Sequence, residues 1–157
     1  MSMEIIWQWK SFAQLDTRSL YQILQLRQAV FILEQQCLYL DIDNLDSVSY
    51  HLLGFNPAGS SQEVELIAYL RVIEPARKYA EPSIGRVVTS LDWRRKGIGK
   101  QLVRQGLAET KLRFPSRNIR ISAQLYLSDF YRKFGFQTVG QPYLEDGIPH
   151  IEMLLCV

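Results

Sequence analysis

The stretch Ile84-Gly85-Arg86-Val87-Val88-Thr89-Ser90-Leu91-Asp92-Trp93-Arg94-Arg95-Lys96-Gly97-Ile98-Gly99-Lys100-Gln101-Leu102 decides how the rest of the chain is read. Its β-branched start reads as a strand, and the charges and glycines that follow read as a turn opening a helix. The first N–H groups of a helix have no partner within it and carry the positive end of its dipole, so such a turn is an anion site. Gly97 and Gly99 lack a Cβ and let the backbone approach a phosphate closely. Arg94, Arg95, Lys96 and Lys100 add full positive charges, and the local chemistry is that of a diphosphate cradle. Two better-known phosphate loops do not fit. A Walker A loop ending at Gly99-Lys100 would need glycine where Arg94 stands and Ser or Thr where Gln101 stands. A dinucleotide fingerprint would need a third glycine at Leu102. What remains is R-x-x-G-x-G, which taken alone is equally a helix start with solvated cations.

Outward from this turn the chain alternates. Downstream, a helix runs from Gly97 to about Phe114 and ends before Pro115. Ile119 to Ala123 reads as a strand, Leu127 to Phe134 as a helix, Phe136 to Gly140 as a strand, and Ile151 to Val157 as a last apolar strand. Upstream, Ile5 to Trp9 suits an opening strand. From about Asp16 to Leu33 the spacing is helical, with Leu20, Ile23, Leu24, Val30 and Phe31 on one face and Asp16 or Thr17 as cap. Val48 to Phe55 and Val64 to Ile73 read as a hairpin around Asn56-Pro57-Ala58-Gly59-Ser60-Ser61. The first half thus implies antiparallel pairing and the second half strand–helix–strand units with a parallel pair. The expected architecture is a mixed α/β sheet with helices on both faces, formed by residues 1–157 as a single domain.

Composition bounds the function. The chain has 157 residues, 47% hydrophobic and 22% charged, which argues against disorder. Its 18 Lys+Arg against 16 Asp+Glu leave a formal charge of +2, too little for a general nucleic-acid binder. The two cysteines, Cys37 and Cys156, are far apart and make neither a disulfide scaffold nor a close metal-binding pair. The N-terminal residues lack the basic start and long apolar core of a signal peptide, and no stretch approaches the ~20 apolar residues of a membrane span. The reading is cytoplasmic, with no metal, no nucleic acid and no membrane partner.

A second anchor lies beyond the cradle. In Leu127-Ser128-Asp129-Phe130-Tyr131-Arg132-Lys133-Phe134-Gly135-Phe136, Gly135 ends a short helix and Tyr131 sits one turn back. Phe130 and Phe134 read as core.

The two anchors together resemble the GNAT superfamily of N-acetyltransferases. Arg94–Gly99 matches its coenzyme A pyrophosphate loop, and Tyr131-x-x-x-Gly135-Phe136 matches its second acetyl-CoA motif. More narrowly, Leu26–Cys37, His51–Gly54, Ile84–Val88 and Tyr143–Met153 are similar to the ElaA-like branch, and the resemblance covers nearly the whole chain. It implies the acyl-CoA N-acyltransferase fold, with a mostly antiparallel sheet splayed between two parallel strands, here Ile84–Thr89 and Ile119–Ala123. It implies acetyl-CoA as acetyl donor, its pantetheine arm along Val87, Val88 and Thr89. The diphosphate then lies on the amides of Arg95, Lys96, Gly97, Ile98, Gly99 and Lys100. Gln124 takes the place where many relatives carry an Asn that contacts the cofactor. The implied reaction is direct attack of a primary amine on the thioester in one ternary complex, with an oxyanion held by the N–H of Val87 or Val88. Tyr131 is the implied proton donor to the leaving thiolate, the alternative being a purely positional hydroxyl.

The base stays open among Glu34, Asp43, Glu74, His51, Glu145, His150 and a water. Both histidines also read as ordinary hydrogen-bonded strand residues, and Glu145-Asp146-Gly147 as a turn before the last strand. The acids of Asp41–Asp46 either draw a cationic amine or form a solvated loop of turns and caps. Cys37 reads as structural. A different class of function, an acyl-CoA-binding regulatory module without efficient transfer, shares the cradle. Nucleic-acid binding through Arg94, Arg95, Lys96, Lys100 and Arg104 is a distant third. The exposed face of the last strand is available to pair with a second copy as a homodimer.

Overall fold

The computed structural model describes residues 4–57 and 64–157. The order of elements is β1 (Ile6–Ser11), α1 (Thr17–Arg27), a π-helical segment (Gln28–Glu34), β2 (Ser49–Phe55), β3 (Leu66–Ile73), β4 (Ser83–Thr89), α2 (Ile98–Arg113), β5 (Ile119–Gln124), α3 (Ser128–Arg132), β6 (Gln137–Glu145) and β7 (Ile148–Leu155). Single 3-10 turns cover 12–14, 46–48, 91–93 and 125–127.

The seven strands form one sheet in the order β1-β2-β3-β4-β5-β7-β6. Every neighbouring pair is antiparallel except β4 and β5, which run parallel. Alternation along β2 and β3 sends side chains to two separate cores. Leu52 and Leu70 meet Ile98, Leu102, Val103 and Leu107 of α2 on one face, together with Tyr131 and Phe136. Leu53, Tyr69 and Val88 meet Ile23 and Val30 on the other. β3 is buried at all its positions, as a strand covered on both faces must be.

Local signals act where the sequence places them. Asp16 caps α1 by accepting from the Ser19 N–H at 2.7 Å. The expected single helix to Leu33 instead passes into the π segment at Gln28, and N–H groups reach back five residues, Gln35 to the Val30 carbonyl at 3.1 Å and Cys37 to that of Ile32 at 3.2 Å. An apolar stripe does not distinguish the two windings. The hairpin of β2 and β3 closes with Asn56 N–H on the Glu65 carbonyl at 3.0 Å, while the expected tip from Ala58 to Ser61 lies outside the described residues.

The C-terminal strands are longer than their apolar runs suggest. β6 and β7 pair from Glu145↔Ile148 outward, joined by Asp146 (φ 50) and Gly147 (φ 78). Two successive left-handed residues of the Asp-Gly type make the tight turn whose twist suits a hairpin. The ladder is interrupted between Val139 and Tyr143, where Gly140 (φ 76) and Pro142 stand. A bulge of this kind is how an edge strand tolerates proline. β6 is that edge, and β7 is bonded on both sides, to β5 and β6. The free edges of the sheet are β1 and β6, and the last strand, β7, has none.

Candidate active site

β4 and β5 touch as neighbours at one place only, Ser83 opposite Arg120, with the Arg120 N–H on the Pro82 carbonyl at 3.0 Å. Beyond it the strands part, and a cavity of about 910 Å³ opens between them. The divergence is prepared on the other side of β4. Between Tyr69↔Val88 and Arg71↔Gly85, Arg86 and Val87 stand opposite the single residue Leu70. This bulge puts Arg86 at φ 52 and interrupts the ladder to β3 beside Val87 and Val88. Val87, Val88 and Thr89 line the cavity along that arm.

At the wide end stands the start of α2. Gly97 has φ 76, a backbone conformation natural to glycine, and a Cβ there would meet nothing within 4 Å. No side chain caps the helix, whose first intrahelical bond runs from Gln101 N–H to the Gly97 carbonyl at 3.3 Å. The N–H groups of Ile98, Gly99 and Lys100 are thus left without helical partners at the positive end of a 16-residue helix. Arg95, Gly97, Ile98, Gly99 and Lys100 all line the cavity.

Two cations of this turn are placed differently from the expectation that both bear on a phosphate. Lys96 does not line the cavity, and its Nζ stands 4.5 Å over the Trp93 ring. Arg94 does line it, but its guanidinium grips Glu34 of the π segment through two bonds of 2.5 and 2.8 Å, and its Nε donates to the Thr89 carbonyl. The charge of Arg94 is thus balanced by Glu34 and ties the π segment to the cradle.

Tyr131 lines the cavity at 7% exposure. Its ring stands edge-on to Phe130 at 5.1 Å and to Phe136 at 6.0 Å. Burial pushes the phenol well above its ordinary range, so it stays protonated throughout neutral conditions. Gln124, at the end of β5, donates its amide to Gln35 Oε1 at 3.2 Å, across to the loop that follows the π segment. Cys37, in the same loop, is buried against the cavity wall and donates its thiol to the Asp146 carbonyl at 3.2 Å.

The acidic stretch Asp41–Asp46 is neither a solvated loop nor a set of free carboxylates. Arg27 binds Asp41 at 2.8 Å and Asp46 at 2.7 Å; Arg71 grips Asp43 at 2.8 and 2.7 Å and Asp46 at 2.9 Å; Arg86 lies 2.7 Å from Asp41. Three arginines meet three aspartates, with Arg27 and Arg71 at 0% and 2% exposure. Buried charges persist only when paired in this way. Arg27 lies on the buried face of α1 four residues after Ile23, and Arg71 interrupts the apolar run of β3; these were the signals for the network.

This network occupies Asp43 and encloses His51, and other arginines hold two more of the candidate bases. Burial raises the Asp43 carboxyl, but the Arg71 bonds outweigh it and hold the group down at about 2. His51 is buried beneath the network with both ring nitrogens bonded, Nδ1 to the Tyr69 hydroxyl at 2.8 Å and Nε2 to the Asp46 carbonyl at 3.0 Å, and burial lowers it to about 4. Glu34 is held below the usual carboxylate range by its bonds from Arg94. Glu74 is not on the cavity wall and pairs with Arg77 at 3.7 Å. Glu145 and His150 remain, both lining the cavity, with Oε2 and Nε2 3.3 Å apart. Among the described residues, no group of three or more His, Cys, Asp or Glu could hold a metal ion, and no helix is long and apolar enough to cross a membrane.

Beside this splayed parallel pair and its uncapped glycine turn, the family model for the acetyltransferase (GNAT) domain matches residues 63–156. The chain belongs to the GNAT family. Among relatives of this GNAT chain, a UPF0039 protein of Synechocystis is 42% identical over 155 residues, covering 99% of this chain and 97% of that one. ElaA of Escherichia coli is 38% identical over 151 residues, 95% of each chain. The crystal structure of Escherichia coli ElaA superposes with a TM-score of 0.87 at 37% identity, covering 97% of this chain and 99% of that one. That of an acyl-CoA N-acyltransferase from Pseudomonas aeruginosa gives 0.89 at 37% identity, covering 98% and 100%. The chain is thus an ElaA-like GNAT protein with the acyl-CoA N-acyltransferase fold, and this family and fold support acyl-CoA-dependent acyl transfer.

Proposed function

We propose that this chain transfers the acetyl group of acetyl-CoA to a primary amine by direct attack within a ternary complex. The observation that carries the reading is the uncapped, glycine-started helix at the mouth of the β4–β5 cleft, with a buried, protonated phenol on the same cavity. The residues fit the cofactor. Gly97 leaves open space where a Cβ would stand, and the N–H groups of Ile98, Gly99 and Lys100 lack helical partners. The amides of Arg95 and of Gly97 through Lys100, the cradle residues that line the cavity, hold the diphosphate, and Lys100 adds charge to it. The backbone of Val87, Val88 and Thr89 takes the pantetheine arm as an added half-strand. Gln124, whose amide donates to Gln35, lines the same cavity and is the side chain placed to contact the cofactor.

Acetyl-CoA supplies the activated acyl group. The chain's contribution is to align the thioester along β4, stabilise the carbonyl oxygen by the N–H of Val87 or Val88 as charge develops, and return a proton to sulfur from the Tyr131 hydroxyl. Burial keeps the phenol protonated, so its proton is present when the thiolate forms. The acceptor enters from the side of the loop 35–46 and the β6–β7 turn. The two free thiols, Cys37 and Cys156, suit the reducing cytoplasm, where we place the reaction.

Tyr131→Phe tests the assignment. The variant is expected to keep its affinity for acetyl-CoA and lose turnover about 100-fold, the ordinary contribution of a general acid. Unchanged turnover would reduce Tyr131 to a positional role. Negligible turnover with and without the hydroxyl, with coenzyme A still bound, would favour an acyl-CoA-binding regulatory module.

A further inference from the structure

An alkylamine with a pKa near 10.4 is uncharged only about once in 2,500 molecules at neutral pH, so an amine acceptor must lose a proton before it attacks. The cavity has one place built to take it. Glu145 ends β6 and His150 lies two residues into the far side of the hairpin, opposite Tyr143 on β6 and Gln124 on β5. The His150 ring is held on three sides. Its Nδ1–H donates to the Ile148 carbonyl at 2.7 Å, its face stacks on Tyr143, and its Nε2 points to Glu145 Oε2 at 3.3 Å. Tyr143 is in turn fixed by a hydroxyl–hydroxyl bond to Ser122 of β5. With Nδ1 committed to a carbonyl, Nε2 is the nitrogen that gains a proton. Both side chains line the cavity, with Glu145 44% exposed and His150 11%.

We infer that Glu145 and His150 form the dyad that deprotonates the acceptor amine; this rests on the acetyltransferase reading above. Glu145 docks the ammonium by charge, takes its N–H proton and shares it with Nε2 of His150, and the more exposed carboxylate releases it to solvent. The neutral amine nitrogen then bonds to the thioester carbon, and the C–S bond breaks. The thiolate takes the Tyr131 proton, and the second proton of the amine nitrogen restores the phenol. One proton leaves to solvent, and the products are an amide and a thiol. Titratable side chains facing the dyad include Tyr143 and Asp146 on the hairpin, Glu152 on β7, Cys37 bonded to the Asp146 carbonyl, and Lys78 and Tyr79 on the loop before β4. None of them stands within ion-pairing distance of His150.

The test compares acceptors of different basicity. Thiol release from acetyl-CoA is followed for the wild type, Glu145→Gln and His150→Gln. The acceptors are a series of primary alkylamines, all ammonium at neutral pH, and hydroxylamine, which is mostly uncharged there. Acetyl-CoA binding is measured separately by thermal unfolding. The dyad predicts a loss of about 100-fold with the alkylamines in both variants and less than about 5-fold with hydroxylamine, since general-base assistance is what has been removed. The same loss with both kinds of acceptor would assign the pair a structural role and overturn the proposal, as would unimpaired alkylamine transfer. The hydroxylamine rate reports within the same sample that the variant is folded. Failure of the wild type to bind acetyl-CoA, or to transfer to any acceptor, would instead overturn the acetyltransferase reading, and the dyad with it.

Discussion

Asp43→Asn measures how the buried ion-pair network holds its side of the cavity in place. Asp43 accepts two bonds from Arg71, at 2.8 and 2.7 Å, and its side chain is 25% exposed. Burial pushes its carboxyl up and the Arg71 bonds more than reverse this, from an ordinary 3.8 down to about 2. Bringing the carboxyl from 3.8 down to about 2, at roughly 1.4 kcal/mol for each tenfold change in acidity, corresponds to about 2.5 kcal/mol of stability near pH 7. The sign follows from the depression. This stability is fully present above the unfolded value of 3.8 and is lost as the pH falls through it toward about 2. Asparagine keeps the shape of the side chain and removes the charge. At neutral pH the variant should melt roughly 5–10 °C lower, given about 2–4 °C per kcal/mol for a chain of this size. Near pH 3 the wild type has itself lost part of the advantage, and the gap between the two proteins should shrink to roughly half. Thermal unfolding of both proteins at the two pH values reads the effect. Equal gaps at pH 7 and pH 3, or no gap at either, would refute the argument that Asp43 is ionised and held by Arg71.

Three further outcomes follow from single positions. A Cβ at Gly106 would lie 2.6 Å from Leu70 Cδ2, and Leu70 is fully buried, so Gly106→Ala should destabilise by about 1–2 kcal/mol in denaturant unfolding once the ~1 kcal/mol helix preference for alanine is set against overpacking; a stabilised variant would show that Leu70 moves aside without cost. Gly97→Ala places a Cβ at φ 76, which costs about 1–2 kcal/mol, and should lower both the melting temperature and the affinity for coenzyme A while leaving acceptor discrimination unchanged. Because burial holds the Tyr131 phenol protonated, the pH profile of turnover should show no descending limb up to about pH 10; a descending limb beginning below about pH 9 would mean that the proton comes from another group or that the phenol is more exposed than the structure has it.

The second half of the chain was readable because its signals are local. The strand–turn–helix around Gly97 needs only β-branched residues, a left-handed glycine and an amphipathic run, and it appears within a residue of where those lie, as Ser83–Thr89 and Ile98–Arg113. The Asp16 cap and the Asp146-Gly147 turn are equally local. The extent of β6 was hidden because Gly140 and Pro142 interrupt it, and only an edge strand tolerates them. The π segment was hidden because its side chains share the stripe of α1, although its winding is what carries Glu34 to Arg94 and Cys37 to Asp146. The ion-pair network depends on contacts between residues up to 45 positions apart, so spacing alone could not assemble it. Its members were nonetheless marked, since an arginine within an apolar run such as Leu66–Ile73 demands a partner. The candidate bases could be named from sequence but not ranked. The ranking came from which carboxylates the arginines already hold.

The central claim is a coenzyme A site in the cleft of β4 and β5, and a thermal-unfolding scan with acetyl-CoA, coenzyme A and ATP at equal concentration tests it most directly. A ligand at about 100 times its Kd adds roughly 2.7 kcal/mol. For a chain of this size that raises the midpoint by roughly 5–10 °C. ATP shares the adenine nucleotide and lacks the pantetheine arm that β4 is proposed to hold. The account predicts this rise with acetyl-CoA and with coenzyme A and little with ATP. No rise with either coenzyme A species, or an equal rise with ATP, would contradict it.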